Sequence, residues 1–282
     1  MSPLALARWI TRRPARAGGT PPTRRGLEQV RFECNLCGRD NIVSPDQITR
    51  ETPSCATCRS TVRLRAVAHL VVHEVLGADR ALPQLEPQRR IAGIGLSDDD
   101  RVAPALARVF DYRNTFFDAE PRLDITDVPP AHRGRYDFVT ASDVFEHVLP
   151  PVQRAFDGAR ALLKPGGICV LTVPFTLDEA TVEHFPELHD WRIERHGDSW
   201  RLRNVTRDGR VQTFTGLVFH EDLGDDGKPG TALEMRLFAR APLERAFLAA
   251  GFARVRMANE AYPRFGIEWA DPWSFPLVAY AG

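Results

Sequence analysis

Four cysteines stand in two pairs, Cys34-Asn-Leu-Cys37 and Cys55-Ala-Thr-Cys58, with seventeen residues between them. Each Cys-x-x-Cys turn can present two sulfurs to one ion, and four thiolates suit tetrahedral Zn2+. The segment between the pairs, GRDNIVSPDQITRETPS, is polar and would fold poorly without such a clip. Cys34, Cys37, Cys55 and Cys58 are therefore expected to hold a structural Zn2+ ion with no coordination position left open. The alternatives are unliganded pairs or a redox site, although a redox site usually needs only one pair. Arg59, Arg63 and Arg65 follow at once and read either as a solvated helix face or as contacts to an acceptor or nucleic acid.

A second concentration of chemistry is ASDVFEHVLPP, residues 141–151, where Asp143, Glu146 and His147 crowd behind the apolar run YDFVT. A histidine's unshifted pKa lies near neutrality, which makes His147 a candidate general base. Its alternative is a helix-start histidine that shapes the turn through a local hydrogen bond. Further along, His184, His189 and His220 are either surface groups or acceptor contacts. Trp191, Trp200 and Phe219 form either an aromatic wall or a small core, and FGIEW at 265–269 carries the same ambiguity.

The elements that must position these groups follow an α/β alternation from Arg89 to about Phe175. RRIAGIG is a first strand, DDDRVAPALARVF a helix, YRNTFF a second strand and YDFVTAS a later one. VQRAFDGARALL is a helix stopped by KPGG, and ICVLTVPF is a strand closed by Pro174. APLERAFLAAGF is a late amphipathic helix, followed by ARVRMANE and FPLVAYAG, which complete the sheet. Upstream, TVRLRAVAHLVVHEVLGADR carries a helical apolar pattern with a glycine stop. The expected organisation is a disordered Arg/Pro-rich tail over 1–29, a cysteine module over 30–60, and a helix and linker over 61–88. A catalytic domain over 89–282 follows, with a lid or acceptor insertion at about 176–235 and a small hairpin around RDGR.

The chain has 282 residues, 43% of them apolar, with Lys plus Arg and Asp plus Glu both at 37. This supports a substantial core and gives no general attraction to nucleic acid or to an anionic membrane. No apolar run is long enough for a membrane span, and the start lacks the continuous apolar stretch of a secretory signal. Few cysteines, mostly paired at metal-ligand spacing, suggest a reducing, cytoplasmic setting, and Cys169 reads as a buried core thiol.

In an open α/β sheet the ligand lies beyond the carboxyl ends of the strands. Four segments reach that edge. Gly93, Gly95, Ser97 and Asp98 follow the first strand, where glycine permits close backbone approach and a helix start offers amide donors, or where the residues only make a turn. Thr115, Asp118 and Glu120 compete to bind a ribose hydroxyl pair after the second strand. Asp124 and Ile125 can meet an adenine amine and ring, or form a solvated turn. Asp143 and Val144 complete the set.

YDFVTASDVFEHV followed by FDGARALLKPGGICVLTVPF resembles the second half of a class I S-adenosylmethionine-dependent methyltransferase, most closely the type 11 branch. The order of glycine loop, DITD, DVFEH and LKPGG fits over about residues 90–260, and some members carry an amino-terminal cysteine-rich ribbon. The resemblance implies an α/β fold, a Rossmann-like methyltransferase sheet with helices on both faces, preceded by a small zinc-ribbon-like module. It implies S-adenosyl-L-methionine as cofactor and a small-molecule or carbohydrate acceptor, with nucleic acid or protein as the alternative. It places Asp143 and Val144 toward the cofactor and Glu146 and His147 toward the acceptor. One departure stands out: the first loop, AGIGLS, lacks the family's acid before the first glycine and its third glycine. That keeps a non-catalytic, zinc-containing interaction protein as a competing reading.

Overall fold

The computed structural model describes residues 29–197, 199–220, 232–271 and 273–282. The expected tail lies outside them except for its last residue. The described residues form two units: 29–145 with Gln153–Val173 and Glu244–Gly282, and Glu146–Val152 with Pro174–Leu243.

The larger unit is built on a six-stranded sheet. Two short strands, β1 (Val30–Glu33) and β2 (Asp40–Val43), pair as an antiparallel hairpin outside it. The sheet itself contains β3 (Gln88–Leu96), β4 (Phe110–Thr115), β5 (Tyr136–Ser142) and β6 (Leu163–Thr172), all parallel in the order β6-β5-β3-β4. Strand Leu277–Tyr280 continues the sheet antiparallel to β6, and Arg254–Met257 pairs antiparallel with it at the edge. The parallel part needs crossovers, and the chain supplies helices: α1 (Val62–Leu76) ahead of β3, α2 (Ala103–Val109) between β3 and β4, and α3 (Gln153–Leu162) between β5 and β6. The α2 helix starts later than its sequence pattern suggests, with Pro104 in its first turn. The α1 helix ends as expected, on Gly77 in the left-handed conformation at φ 61°.

Alternation along the strands decides the layers. Phe138, Ile168, Val170 and Val278 join one core with Val62, Val67, Val71, Leu106 and Val109 of α1 and α2. The alternate residues Val139, Ala141, Cys169 and Leu171 are equally buried, so both sheet faces are covered. The α3 helix lies outside that first core. Its Phe156 packs edge-on to Phe145 at 5.0 Å and to Phe247 at 4.8 Å, the latter in the helix Arg240–Ala249. The result is a mixed sheet with flanking helices, consistent with the Rossmann-like expectation.

The smaller unit, expected as an irregular insertion, is largely β. Asp190–His196, Ser199–Val205 and Val211–Thr215 form an antiparallel meander. The RDGR hairpin turn is present, closed by Val205 opposite Val211 with Gly209 at φ 83°. Phe185, Leu202, Leu233 and Met235 form its core, with Trp191 and Phe219 packed against them. Of the two sequence alternatives for Trp191 and Phe219, this is the core one. Among the described residues no helix is long and apolar enough to cross a membrane.

Gly93 is where the sheet tolerates least change. A Cβ there would sit 2.1 Å from the ring of Phe138, which lies edge-on to Phe110 and stacked on Tyr112. Gly93→Ala is expected to lower the unfolding free energy by about 1–3 kcal/mol through overpacking. Urea denaturation measures this, and an unchanged midpoint would mean that the ring relocates at no cost.

Candidate cofactor crevice

The strand order reverses at β3, with β4 on one side and β5 on the other, and a crevice at such a switch point opens beyond the carboxyl ends. The sequence candidates Gly93, Gly95, Ser97, Asp98, Thr115, Asp143 and Val144 all lie on or just beyond the ends of these strands. Asp118, Asp124 and Ile125 follow β4.

Their surroundings differ sharply. A Cβ on Gly95 would lie 1.9 Å from the Tyr112 hydroxyl and 2.9 Å from Asp98 Oδ2. The space at Gly93 and Gly95 is thus filled by the chain's own Phe138, Tyr112 and Asp98. Ser97 is exposed and left-handed at φ 54°, and its amide donates to the Thr115 carbonyl at 2.7 Å. The Thr115 hydroxyl donates to the Gly95 carbonyl at 2.7 Å. Asp98 is buried. Its Oδ2 accepts from the Tyr112 hydroxyl and from Thr140 Oγ1 at 2.5 Å, while Oδ1 has no partner among the described residues. Burial raises its pKa, and the hydrogen bonds from Thr140 and Tyr112 only partly oppose this. Asp118 is exposed. Asp124 caps a local turn by accepting from the amide and hydroxyl of Thr126 at 2.8 and 2.7 Å. Ile125 is buried, and its carbonyl lies so close to α3 that a Cβ on Gly158 would stand 1.8 Å from it.

Asp143 is the charged centre of this edge of the sheet. It is left-handed at φ 56°, and its side chain is 7% exposed. Arg50 meets it with two donors, Nη2 to Oδ1 at 2.6 Å and Nη1 to Oδ2 at 3.1 Å. Arg63, from the first turn of α1, brings Nε to 3.2 Å of Oδ2 and donates through Nη1 to Ser142 Oγ at 2.7 Å. Thr172 at the end of β6 donates to Oδ1 at 2.9 Å. Burial pushes this carboxyl up, but Arg50 and then Arg63 outweigh it and hold the group ionised well below the usual carboxylate range. Glu51 balances the second guanidinium, accepting from Arg63 Nε and Nη2 at 2.9 and 3.0 Å.

These arginines come from the cysteine segment. Sγ of Cys34 lies 3.5 Å from that of Cys58, and Cys37 3.6 Å from Cys55, with all four within 4.8 Å of one another. The two turns share a design: the residue after the second cysteine, Gly38 or Arg59, is left-handed and returns its amide to the first cysteine's carbonyl. A hydrogen bond from the Cys34 thiol lowers the Cys58 pKa. Arg65, expected on a solvated face, is fully buried beneath the cluster. It donates to the carbonyls of Phe265, Gly266 and Ser60 at 2.7, 2.8 and 3.0 Å and lies over the Phe32 ring. That contact makes the FGIEW segment part of the core.

Sequence reasoning missed Arg50, and it offered Arg63 only as a solvated helix residue or an acceptor or nucleic-acid contact, because only the fold brings the two to Asp143. It also missed Phe117, which follows β4 and is 61% exposed with Arg122 over its ring. Placement of a large exposed aromatic directly after a strand end was the available signal.

The DVFEH stretch is divided between the units, since Glu146 and His147 belong to the smaller one. There His147 Nδ1 donates to the Leu233 carbonyl at 3.1 Å, and its Nε2 is 3.9 Å from Glu146 Oε1. His184 donates through Nδ1 to the Glu234 carbonyl at 3.1 Å. His189 is exposed.

Comparison with known proteins found no match among curated sequences. Similar solved structures include the 1,6-didemethyltoxoflavin-N1-methyltransferase of Burkholderia thailandensis, 13% identical over 77% of each chain with a TM-score of 0.41. Others are the sugar N-methyltransferase KedS8 of a Streptoalloteichus species, 13% identical over 78% of this chain and 86% of that one at 0.44, and an S-adenosylmethionine-dependent methyltransferase of Clostridium acetobutylicum, 9% identical over 78% and 89% at 0.42. A family model described as a methyltransferase domain matches residues 69–210, half of the chain, from within α1 to the RDGR turn. The chain belongs to that methyltransferase family.

Proposed function

We propose that the protein transfers a methyl group from S-adenosylmethionine to a small-molecule or carbohydrate acceptor, with a structural Zn2+ ion in the cysteine module. The observation that carries this reading is the Asp143–Arg50–Arg63 group at the switch point of a methyltransferase-family sheet. The cofactor ends in an amino acid, so it brings one ammonium and one carboxylate. Asp143 suits the first, and Arg50 and Arg63 suit the second. In this reading Asp143 takes the part of the acid missing before Gly93. When bound, the cofactor supplies an electrophilic methyl carbon on a sulfonium. Asp98, Asp118, Asp124, Ile125 and Val144 remain candidate contacts for its other parts, and Phe117 offers a ring face to a planar base.

The chain's work in such a displacement is alignment and exclusion of water rather than acid catalysis. For a hydroxyl acceptor a base is useful, and His147 is the proposed one. Its Nδ1 donates to the Leu233 carbonyl at 3.1 Å, which fixes the orientation of the ring. The balanced charge favours a small acceptor over nucleic acid.

A non-catalytic reading has one observation of its own: Phe138 and Tyr112 fill the space at the two glycines. Calorimetry with S-adenosylhomocysteine decides between them. Saturable binding is expected, weakened about ten- to a hundredfold in Arg63→Ala through loss of a charge-assisted contact. No binding to the wild-type chain would sink the enzymatic reading, while equal binding by the variant would remove only the arginine assignment.

The four convergent thiols fit a tetrahedral Zn2+ ion, and the metal would fix the segment that carries Arg50. Exchange of the metal for Co2+ should give an intense thiolate-to-metal absorption band. Cys34→Ser should abolish the band and lower the melting temperature. A wild-type chain that never develops it holds no metal on these cysteines.

A further inference from the structure

A second cluster of ligating side chains lies outside the crevice. His69 and His73 stand one turn apart on α1 and share a face. The helix then stops on left-handed Gly77, whose amide returns to the His73 carbonyl at 2.9 Å, and the reversal carries Asp79 back beneath His73. Arg264 fastens that reversal by donating to the Asp79 carbonyl at 2.6 Å. Asp79 Oδ1 then lies 3.0 Å from His73 Nδ1. His69 is held from the other side, stacked on Tyr262 with ring centroids 4.2 Å apart and edge-on to Phe265 at 5.5 Å. Its Nδ1 is buried with no hydrogen-bond partner among the described residues. One ligand atom from each of the three side chains falls within 4.8 Å of the others. They border a cavity of about 450 Å³ that Arg254, Arg256, Glu74 and Glu260 also line.

We infer that His69, His73 and Asp79 form a second metal site, distinct from the cysteine cluster, for a Zn2+-class divalent ion. Two imidazoles and a carboxylate are the donor set that such borderline ions favour over Mg2+ or Ca2+. A single ion about 2.1 Å from each donor requires donor separations of about 3–3.5 Å; the His73–Asp79 pair already stands at 3.0 Å, and the third donor lies within 4.8 Å of both. The other charges facing the cluster are accounted for. Arg256 is paired with Glu74 and with Glu260, and Arg254 lies over the Tyr280 ring at 3.7 Å. Three protein ligands leave at least one position open toward the cavity. This site is therefore of the open type, able to take water or an anionic oxygen, unlike the closed set of four thiolates.

The test uses the untagged full-length chain loaded with Co2+. Two ions per chain are expected. One gives the strong thiolate band, and the other gives only the weak ligand-field bands of nitrogen and oxygen donors. His73→Ala, a change at an exposed side chain, should leave one ion and an unaltered thiolate band. Asp79→Asn should weaken the second ion by at least about 10–100-fold. Circular dichroism checks that each variant is folded, and Asp79→Asn decides should His73→Ala fail to fold. A wild-type chain that binds Co2+ only through thiolates overturns the proposal, as does a second ion held equally well by both variants. Loss of the thiolate band alone bears on the cysteine site and leaves the weak bands to report this one.

Discussion

A carboxylate buried at the end of a strand must be given partners or give up its charge, and Asp143 dictates much of the larger unit on that account. An unpaired ionised carboxylate costs several kcal/mol in such a place. Here two guanidinium groups, Arg50 and Arg63, keep it charged. Neither comes from the sheet. Arg50 sits in an irregular stretch after the short 3-10 turn Pro45–Gln47, and Arg63 opens α1. The segment must therefore be tied at both ends. The cysteine turns bring its ends together, with the sulfurs of Cys34, Cys37, Cys55 and Cys58 within 4.8 Å of one another. Arg65 locks it from below by spending its donors on backbone carbonyls of residues as distant in sequence as Gly266. A cysteine module that reads in sequence as an appendage is, by its contacts, part of the unit that carries the crevice.

That dependence explains why the glycine loop departs from the family pattern without being arbitrary. In the usual pattern glycines make room for a ligand. At Gly93 and Gly95 the room is taken by Phe138 and by the Tyr112 hydroxyl, which donates to Asp98. An alanine at either place would collide with protein, whatever binds there. The same two residues can satisfy a packing demand and a cofactor demand, so their presence is weak evidence for the second. Asp143 and its arginines are stronger, since sheet packing alone has no use for an ionised cluster.

Much of the scaffold was legible because it rests on local rules. YDFVTAS is a strand in the structure as in the sequence pattern, since every second apolar residue serves one of two buried faces. The α1 helix stops at Gly77 because only glycine takes that conformation cheaply. The cysteine turns were legible for the same reason, spacing being itself the geometry. What local rules could not deliver was pairing between distant segments. Arg63 on a helix start looks solvated until β5 ends beside it, and Arg65 looks like its neighbour until the FGIEW segment folds over it. The smaller unit was read as irregular because its short strands alternate weakly and bury little: Leu202 is fully buried, whereas Val211 is 58% exposed.

The backbone at the crevice argues in the same direction as its charges. Ser97 and Asp143, which follow the ends of the paired strands β3 and β5, are both left-handed. Each non-glycine residue in that conformation costs about 1 kcal/mol, and glycine would relieve it. Beside one lies Asp98, whose pKa burial raises, and the other is Asp143, whose pKa its arginines lower. Two carboxylates at one switch point are thus driven apart in acidity by their surroundings, one toward accepting a proton and one toward holding a cation. Strained turns and divergent carboxylates are each tolerated where a structure is selected for something besides stability. In the proposed reading, their coincidence at the carboxyl ends of β3 and β5 marks this edge, rather than the glycines within β3, for a cofactor's amino acid group.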